Sequence, residues 1–234
     1  MDNKDKLKKR LENIWQPPDF ANFFESVIKK PTRLIKKGAV LFNFGDPLNC
    51  IYFIQEGFVK LYRLSDEGRE TTIYLYGPGN ILGIRALTSE DETARHYAEA
   101  ITDLKMLTIP RWEYLEILTQ NPEYVVDLTH TFMQRLNYTE RKLEGFIAQD
   151  VVTRVAIFLA DVIERFYQGG RKGQITLPLK LTHQRISEFT GSFRETITLA
   201  LHKLEDLKII KMKRSEVIVL DLAKLEKIAR INKI

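Results

Sequence analysis

Between residues 38 and 110 the chain alternates short apolar segments with turn-forming residues. The segments are rich in β-branched and aromatic residues and read AVLFNF, CIYFIQEG, FVKLYRL, ETTIYLYG, HYAEAIT and LKMLTIP. Short strands at regular spacing predict an antiparallel β-barrel or sandwich. Gly77, Pro78, Gly79 and Gly83 fall close together, which predicts a loop whose backbone approaches another group closely.

After this region the spacing of apolar residues becomes three, four or seven, which predicts one long amphipathic helix over residues 122–148. Pro122 suits the first turn of that helix, whose length is about 40 Å. Core helices are shorter on average, so this length favours pairing with a second copy of the chain. The alternative is a core helix packed on the β domain. The apolar positions are Val125, Leu128, Phe132, Leu136, Leu143, Phe146 and Ile147.

The last part of the chain has the pattern of a winged helix-turn-helix. A helix over about 153–167 ends before Gly169, and short helices follow at about 182–189 and 193–207. Two strands then flank the stretch Lys213-Arg214-Ser215-Glu216, and a final helix begins near Leu222. This order of elements places one helix in the DNA major groove. The predicted domains are a polar leader at 1–30, a β domain at 31–121, the long helix at 122–148 and a DNA-binding domain at 149–234.

Charge supports this division. Residues 151–234 hold 16 Lys and Arg against 9 Asp and Glu, a net charge of +7, whereas residues 1–150 carry −2. Basic residues gathered in one domain suit a polyanion because neutralised phosphates release counterions. A solubilising basic surface is the alternative that charge alone leaves open. The lone cysteine, Cys50, supplies neither an internal disulfide nor a multi-thiolate metal or iron–sulfur site.

The segment TGSFRET, at residues 190–196, carries the candidate DNA chemistry. Ser192 and Glu195 have the spacing of a capping box, which gives Glu195 a structural explanation. Arg194 lacks one, because a cation in the first turn opposes the helix dipole. In a major groove, Arg binds guanine and Glu accepts from cytosine. The candidate DNA-binding residues are Thr182, Gln184, Arg194, Glu195, Thr196, Thr198 and Leu199, with Lys211, Lys213 and Arg214 on the wing.

The stretch LTHQRISEFTGSFRETITLALHKLEDLKII, at residues 181–210, resembles the helix-turn-helix of the Crp/Fnr transcription regulators. The resemblance covers roughly residues 33–225. It implies an α+β fold with a cupin- or jelly-roll-like effector barrel, a long dimerisation helix and a C-terminal winged helix-turn-helix. It also implies a homodimer on a palindromic promoter site, with Arg194 and Glu195 reading bases and with activation through RNA polymerase. The cyclic-AMP-dependent member has an arginine where this chain has Leu199.

Within that family, three segments resemble the NtcA-type global nitrogen regulators of cyanobacteria and algal plastids, whose effector is 2-oxoglutarate. ILGI implies contacts from Leu82, Gly83 and Ile84, ARHYAEA implies Arg95, and QRLNYTERKLE implies Arg135 and Glu140. Two arginines suit a dicarboxylate because Arg–carboxylate pairing is bidentate. The next position, apolar in that group, is Arg85 here. Ile84 and His96 depart from the Gly-Glu and Arg-Ser pairs of the cyclic-AMP receptor.

Other functions find less support in the sequence. The four histidines are scattered, no P-loop occurs, and Cys50 lies in an apolar strand context, so we expect no enzyme activity, metal or cofactor. Two alternatives stay open: a Crp-type regulator that needs no ligand or senses another small molecule, and a cyclic-nucleotide-binding module without DNA binding. The chain has no apolar run of membrane-spanning length and no secretory signal. We expect it in a bacterial cytoplasm or a plastid stroma.

Overall fold

The computed structural model describes residues 3–12, 31–89, 91–148, 150–171 and 173–229. The chain forms two compact units, one of residues 1–63 and 73–136 and the other of residues 64–72 and 137–234. The predicted leader at 1–30 is described only at its start, where helix α1 spans Asn3–Glu12, and its remainder lies outside the described residues. No helix in the described ranges is long and apolar enough to cross a membrane.

Eight strands make up the β domain, and they form two four-stranded sheets with the strand orders β1-β8-β3-β6 and β2-β7-β4-β5. The predicted antiparallel β architecture is confirmed, as a jelly-roll-like pair of sheets instead of a closed barrel. The strands are β1 (Arg33–Ile35), β2 (Val40–Phe42), β3 (Cys50–Glu56), β4 (Val59–Leu64), β5 (Glu70–Tyr76), β6 (Ile81–Leu82), β7 (Tyr97–Ala100) and β8 (Leu104–Pro110).

A helix that the sequence pattern did not reveal, α2 (Arg111–Gln120), follows β8. Its Tyr114 is fully buried and Ile117 is nearly so, together with Ile51 and Phe53 of β3. Trp112 on the same helix is exposed, so apolar residues lie on both its inner and outer sides. A helix of this kind has little amphipathic periodicity, which is the signal that sequence reasoning uses.

The loop after β6 takes its shape from Gly83, which has a φ of 85° and precedes a single 3-10 turn, Ile84–Leu87. A Cβ atom on Gly83 would lie 2.6 Å from the main-chain oxygen of Cys50. Glycine is therefore required at this position for two reasons, the positive φ of its backbone and the close approach of β3. This loop forms one wall of the candidate effector pocket.

The predicted long helix is present as α3, which spans Glu123–Ala148. Leu128 is buried, but most of the apolar positions that the pattern identified are exposed in the single chain: Val125, Phe132, Leu136, Leu143, Phe146 and Ile147, with Met133 beside them. Seven-residue spacing relates Val125 to Phe132 and Leu136 to Leu143. This is the spacing of a coiled-coil seam.

The second unit contains the predicted winged helix-turn-helix. Asp150 caps α4 by accepting a 2.9 Å bond from the Thr153 amide, and the rings of Phe158 and Phe189 stack at 4.6 Å in its core. Arg214, with a φ of 58°, lies in the tight turn of the wing. The elements are α4 (Val151–Phe166), β9 (Ile175–Thr176), α5 (His183–Thr190), α6 (Arg194–Asp206), β10 (Ile210–Lys213), β11 (Glu216–Val219) and α7 (Leu222–Ile228).

Replacing Gly83 with alanine tests the crowding in its loop. Gly79 is the matched control, because it has a φ of 82° but nothing within 4 Å of an added Cβ. We expect Gly79→Ala to lower the free energy of unfolding by about 1 kcal/mol through backbone conformation alone. Gly83→Ala should cost about 1–3 kcal/mol more, because the added methyl group displaces β3. Equal losses in thermal unfolding of the two variants would contradict the crowding at Gly83.

Candidate nucleic-acid interface and effector pocket

The start of α6 differs from the predicted capping box. Phe193 is the N-cap residue of α6 and makes no side-chain capping bond. Ser192 is buried instead, and its hydroxyl accepts a 3.1 Å bond from Arg154 and donates to the carbonyl of Thr190. The prediction that Ser192 and Glu195 form a capping box is therefore wrong. The helix begins one residue later than the box requires, and the serine hydroxyl is already occupied by Arg154.

This correction changes the interpretation of Glu195. Arg194 and Glu195 are both exposed, and neither side chain has a hydrogen bond or an ion pair to any described residue. The negative charge of Glu195 still interacts favourably with the partial positive charge at the helix N-terminus. Its carboxylate oxygens nevertheless remain available to an external donor, and so does the guanidinium of Arg194 to an acceptor.

The inner face of α6 fixes the direction of these side chains. Ile197, Ala200, Leu201 and Leu204 are buried. Leu207 follows the last helical residue, Asp206, and is 49% exposed.

On the outer side of α6, Leu199 is 72% exposed. Thr196 and Thr198 are half-buried. The hydroxyl of Thr198 donates to the carbonyl of Arg194 and lies 2.8 Å from Nδ1 of His183. An exposed leucine on this face suits an apolar contact such as a thymine methyl group.

The preceding helix and the wing contribute further polar groups. Thr182 caps α5 by accepting a 3.2 Å bond from the Arg185 amide. The exposed Gln184 donates its side-chain amide to Glu188 at 3.1 Å. The wing cations are all exposed: Lys211, Lys213 and Arg214.

Arg69, from the β4–β5 turn of the second unit, was not identified from the sequence. Its guanidinium donates to the Ser192 carbonyl at 3.1 Å and lies 4.4 Å from the centre of the Phe193 ring. It lines the same groove as Arg194 and Glu195. Arg69 therefore positions the turn from which α6 starts. The segment DEGRE carries only a turn signal, so no sequence pattern pointed to this contact.

In the first unit, one pocket brings together five of the six predicted effector residues. They are Leu82, Gly83, Ile84, Arg95 and Arg135. Arg85 and His96 line the same pocket, with an apolar floor that includes Phe42, Leu61 and Tyr76. Glu140, the sixth predicted residue, is exposed further along α3 and is not among the lining residues.

Two tyrosine rings make cation–π contacts with Arg135, the arginine that α3 contributes to the pocket. The guanidinium of Arg135 lies 5.3 Å from the centre of the Tyr74 ring and 5.9 Å from that of Tyr76. Cation–π contacts of this kind orient a guanidinium without neutralising its charge. The pocket therefore receives a positioned cation from α3 and a second, more exposed one from Arg95.

The pocket is positively charged, and His96 reports this. Its pKa is lowered from 6.5 to about 4, first by burial and then by the neighbouring guanidinium groups of Arg135, Arg63, Arg85 and Arg95. Burial is the largest cause, and the additional contribution of the four guanidinium groups indicates a field that favours anions. Among the described residues, no group of three or more His, Cys, Asp or Glu is placed to hold a metal ion.

Comparison with known proteins agrees with both halves of this description. A family model for the cyclic nucleotide-binding domain matches residues 32–121, and one for the Crp-like helix-turn-helix domain matches residues 153–228. A transcriptional regulator of the CRP/FNR family from Thermus thermophilus superposes with a TM-score of 0.70 at 28% identity, over 87% of this chain and 100% of that one. FixK2 from Bradyrhizobium japonicum, at 20% identity and a TM-score of 0.73 over 87% and 98% of the two chains, shares the fold.

Among curated proteins, the global nitrogen regulator of Nostoc sp. strain PCC 7120 is 31% identical over 185 residues, which are 79% of this chain and 82% of the relative. The Synechococcus elongatus global nitrogen regulator is 30% identical over 79% and 83% of the two chains. The Cyclic AMP receptor protein of Thermus thermophilus is 28% identical over 84% and 87%. With its β domain, long helix and winged helix-turn-helix, the chain belongs to the Crp/Fnr family of DNA-binding transcription regulators.

Proposed function

We propose that this protein is a homodimeric regulator of nitrogen-assimilation genes that binds a palindromic promoter site and responds to 2-oxoglutarate. The observation that carries the effector assignment is the meeting of Arg95 and Arg135 in one pocket. Two guanidinium groups match the two carboxylates of that ligand. The global nitrogen regulators among the relatives support the same biological role.

The loop of residues 82–84 supplies the rest of the proposed binding site. Leu82, Gly83 and Ile84 all line the pocket, and the main chain of β3 leaves no room for a side chain at Gly83. Main-chain amides suit the oxygen atoms of an anion because their hydrogen bonds to charged acceptors are strong. The proposal assigns Leu82, Gly83 and Ile84 to these contacts and keeps Glu140 as an effector residue on α3.

In the proposed function, α6 is the helix that contacts the bases of DNA. Arg194, Glu195, Thr196, Thr198 and Leu199 occupy its exposed edge and read base pairs. Thr182 and Gln184 position the domain on phosphates, and the cations of the wing add attraction that does not depend on sequence. The exposed and unpaired state of Arg194 and Glu195 supports this assignment.

The exposed apolar positions of α3 support the homodimer. A seam with this heptad spacing buries itself against an identical helix, and the two DNA-binding domains then approach two half-sites. Arg135 belongs to the same helix, so a ligand that it holds biases how the paired helices cross. Ligand binding changes the DNA affinity only by its differential affinity for the two arrangements. Activation through RNA polymerase completes the proposal.

A regulator that senses another small molecule is the second candidate, because the β domain matches a model named for cyclic nucleotides. Calorimetric titration with 2-oxoglutarate and, separately, with cyclic AMP tests the two. The proposed function requires saturable 2-oxoglutarate binding that tightens binding to a palindromic duplex selected from a random library. If only cyclic AMP binds, it replaces 2-oxoglutarate as the proposed effector. If neither ligand binds while DNA binding is intact, the nitrogen-sensing role is excluded.

Glu195→Gln tests base reading by α6. We expect altered preference at one base pair in each half-site, with about 1–3 kcal/mol less discrimination, because the amide no longer accepts as a carboxylate does. The melting temperature should fall only slightly, since no capping bond is lost and the charge–dipole interaction that is removed is worth about 0.3–1 kcal/mol. Ser192→Ala is the control, because it removes the Arg154 contact and should lower stability without changing base preference. Site selection from random duplexes measures the preference, and an unchanged preference in Glu195→Gln would contradict the assignment.

Arg135→Ala tests the effector pocket. We expect a folded dimer whose affinity for 2-oxoglutarate falls by at least about tenfold, the loss expected for one charge-assisted contact. Arg141→Ala on the same helix is the matched control, because its guanidinium pairs with Glu164 at 3.0 Å and does not line the pocket. Titration calorimetry compares the two variants, and equal affinities would remove Arg135 from the site.

The low pKa of His96 predicts proton uptake on ligand binding. Its imidazole is neutral above about pH 4 in the unliganded protein. A bound dicarboxylate offsets the surrounding positive charge and so raises the pKa of His96. Affinity should therefore increase as pH falls toward about 5, above the range in which the ligand's own carboxylates protonate, and calorimetry in buffers of different ionisation enthalpy measures the protons taken up. The His96→Gln variant should bind without this uptake, and an unchanged proton count would contradict the prediction.

A further inference from the structure

Arg85 and Glu92 form an ion pair at the edge of the effector pocket. The guanidinium of Arg85 donates two bonds to Oε1 of Glu92, from Nε at 2.9 Å and from a terminal nitrogen at 2.6 Å. The hydroxyl of Thr88 donates to Oε2 at 3.3 Å. Nε of Arg95 lies 3.7 Å from Oε1. One internal carboxylate thus contacts one pocket arginine and approaches a second.

The carboxylate of Glu92 is ionised at neutral pH. Hydrogen bonding from Arg85 is the largest cause that lowers its pKa, and the positive charges of Arg85 and Arg95 act in the same direction. Its side chain is only 14% exposed, against 38% for Arg85 and 65% for Arg95. Glu92 is therefore a charged group fixed beside the pocket by several donors.

This pair determines how much positive charge the pocket offers to a ligand. Arg85, Arg95 and Arg135 all line the pocket, and Glu92 compensates the first of them most closely. Arg95, whose Nε lies 3.7 Å from the same carboxylate, and Arg135 supply the other two guanidinium groups of the pocket. An additional acidic group on a ligand would therefore have to compete with Glu92 for Arg85.

We propose that Glu92 is an internal carboxylate that occupies Arg85 and restricts the pocket to ligands with two acidic groups. The proposal deepens the proposed effector role and rests on it. A fixed internal carboxylate gives selectivity by repulsion, because it disfavours more highly charged anions that would otherwise bind the same cations. Removing its charge should therefore change which anion is preferred as well as how tightly anions bind.

The test uses Glu92→Gln with 2-oxoglutarate as the dianion and citrate as the trianion. Glutamine keeps the size and an acceptor oxygen for Arg85 but removes the charge. We expect the affinity for citrate to rise by about tenfold relative to that for 2-oxoglutarate, because one more guanidinium becomes available for a charge-assisted contact. Glu99→Gln is the matched control, since Glu99 pairs with Lys60 at 3.3 Å and does not line the pocket.

A second variant separates selectivity from structural support. Arg85→Leu with Glu92→Gln removes both charges, so the pocket again presents two arginines and should return to the wild-type preference for 2-oxoglutarate over citrate. If Glu92 only supported the loop, Glu92→Gln would lower the melting temperature and weaken both anions alike. That result, or an unchanged preference in Glu92→Gln, overturns the proposal.

The same titrations distinguish failure of this proposal from failure of the proposed function. If the wild type binds 2-oxoglutarate and Glu92→Gln keeps its preference, the role of Glu92 falls while the effector assignment stands. If the wild type does not bind 2-oxoglutarate but Glu92→Gln binds citrate, the proposed role of Glu92 is supported and the effector is a different dianion. If neither protein binds either anion, both assignments fall.

Discussion

The repulsion among guanidinium groups in one half-buried pocket is the constraint on which the sensing half of the molecule depends. Like charges in one pocket repel one another, and Arg85, Arg95 and Arg135 all line this one. The fold reduces this cost by three means: Tyr74 and Tyr76 orient Arg135, Glu92 compensates Arg85, and His96 stays neutral. Under the proposed function, the remaining positive charge is the part that an anionic effector neutralises.

The DNA-binding half uses the opposite arrangement: the groups that hold the turn before α6 have hydrogen-bond partners, whereas the charged side chains proposed to read bases have none among the described residues. The hydroxyl of Ser192 binds Arg154 and its carbonyl binds Arg69, so the turn before α6 is fixed from two sides. Arg194 and Glu195 follow after Phe193, and the bonds that Arg69 and Arg154 make to Ser192 do not involve them. A rigid start therefore places two exposed charged side chains at the beginning of the helix, where base pairs supply their partners in the proposed function.

Periodicity predicted the elements that bury one face, and it failed where another interaction decides. The strands of the β domain, α3 and the winged helix-turn-helix follow their apolar spacing. Helix α2 was not predicted, because apolar residues lie on both its inner and outer sides. The capping box at Ser192 failed because a distant side chain, Arg154, occupies the hydroxyl that local spacing assigned to the helix. Likewise, the pairing of Arg85 with Glu92 crosses a loop whose length carries no pattern.

These misses share a physical origin that bears on function. Backbone elements are set by local preference and burial, which leave periodic traces, whereas a pocket is set by side chains that meet only after folding. The resemblance to the nitrogen regulators implies Arg95 and Arg135 as effector residues, but it implies no role for Arg85, which departs from the pattern of that group. The structure shows that this added charge comes with its own compensating carboxylate. A new cation beside an anion pocket without Glu92 would increase affinity for anions generally. In the proposed role of Glu92, the two residues together change selectivity instead, so they have to be interpreted as one unit.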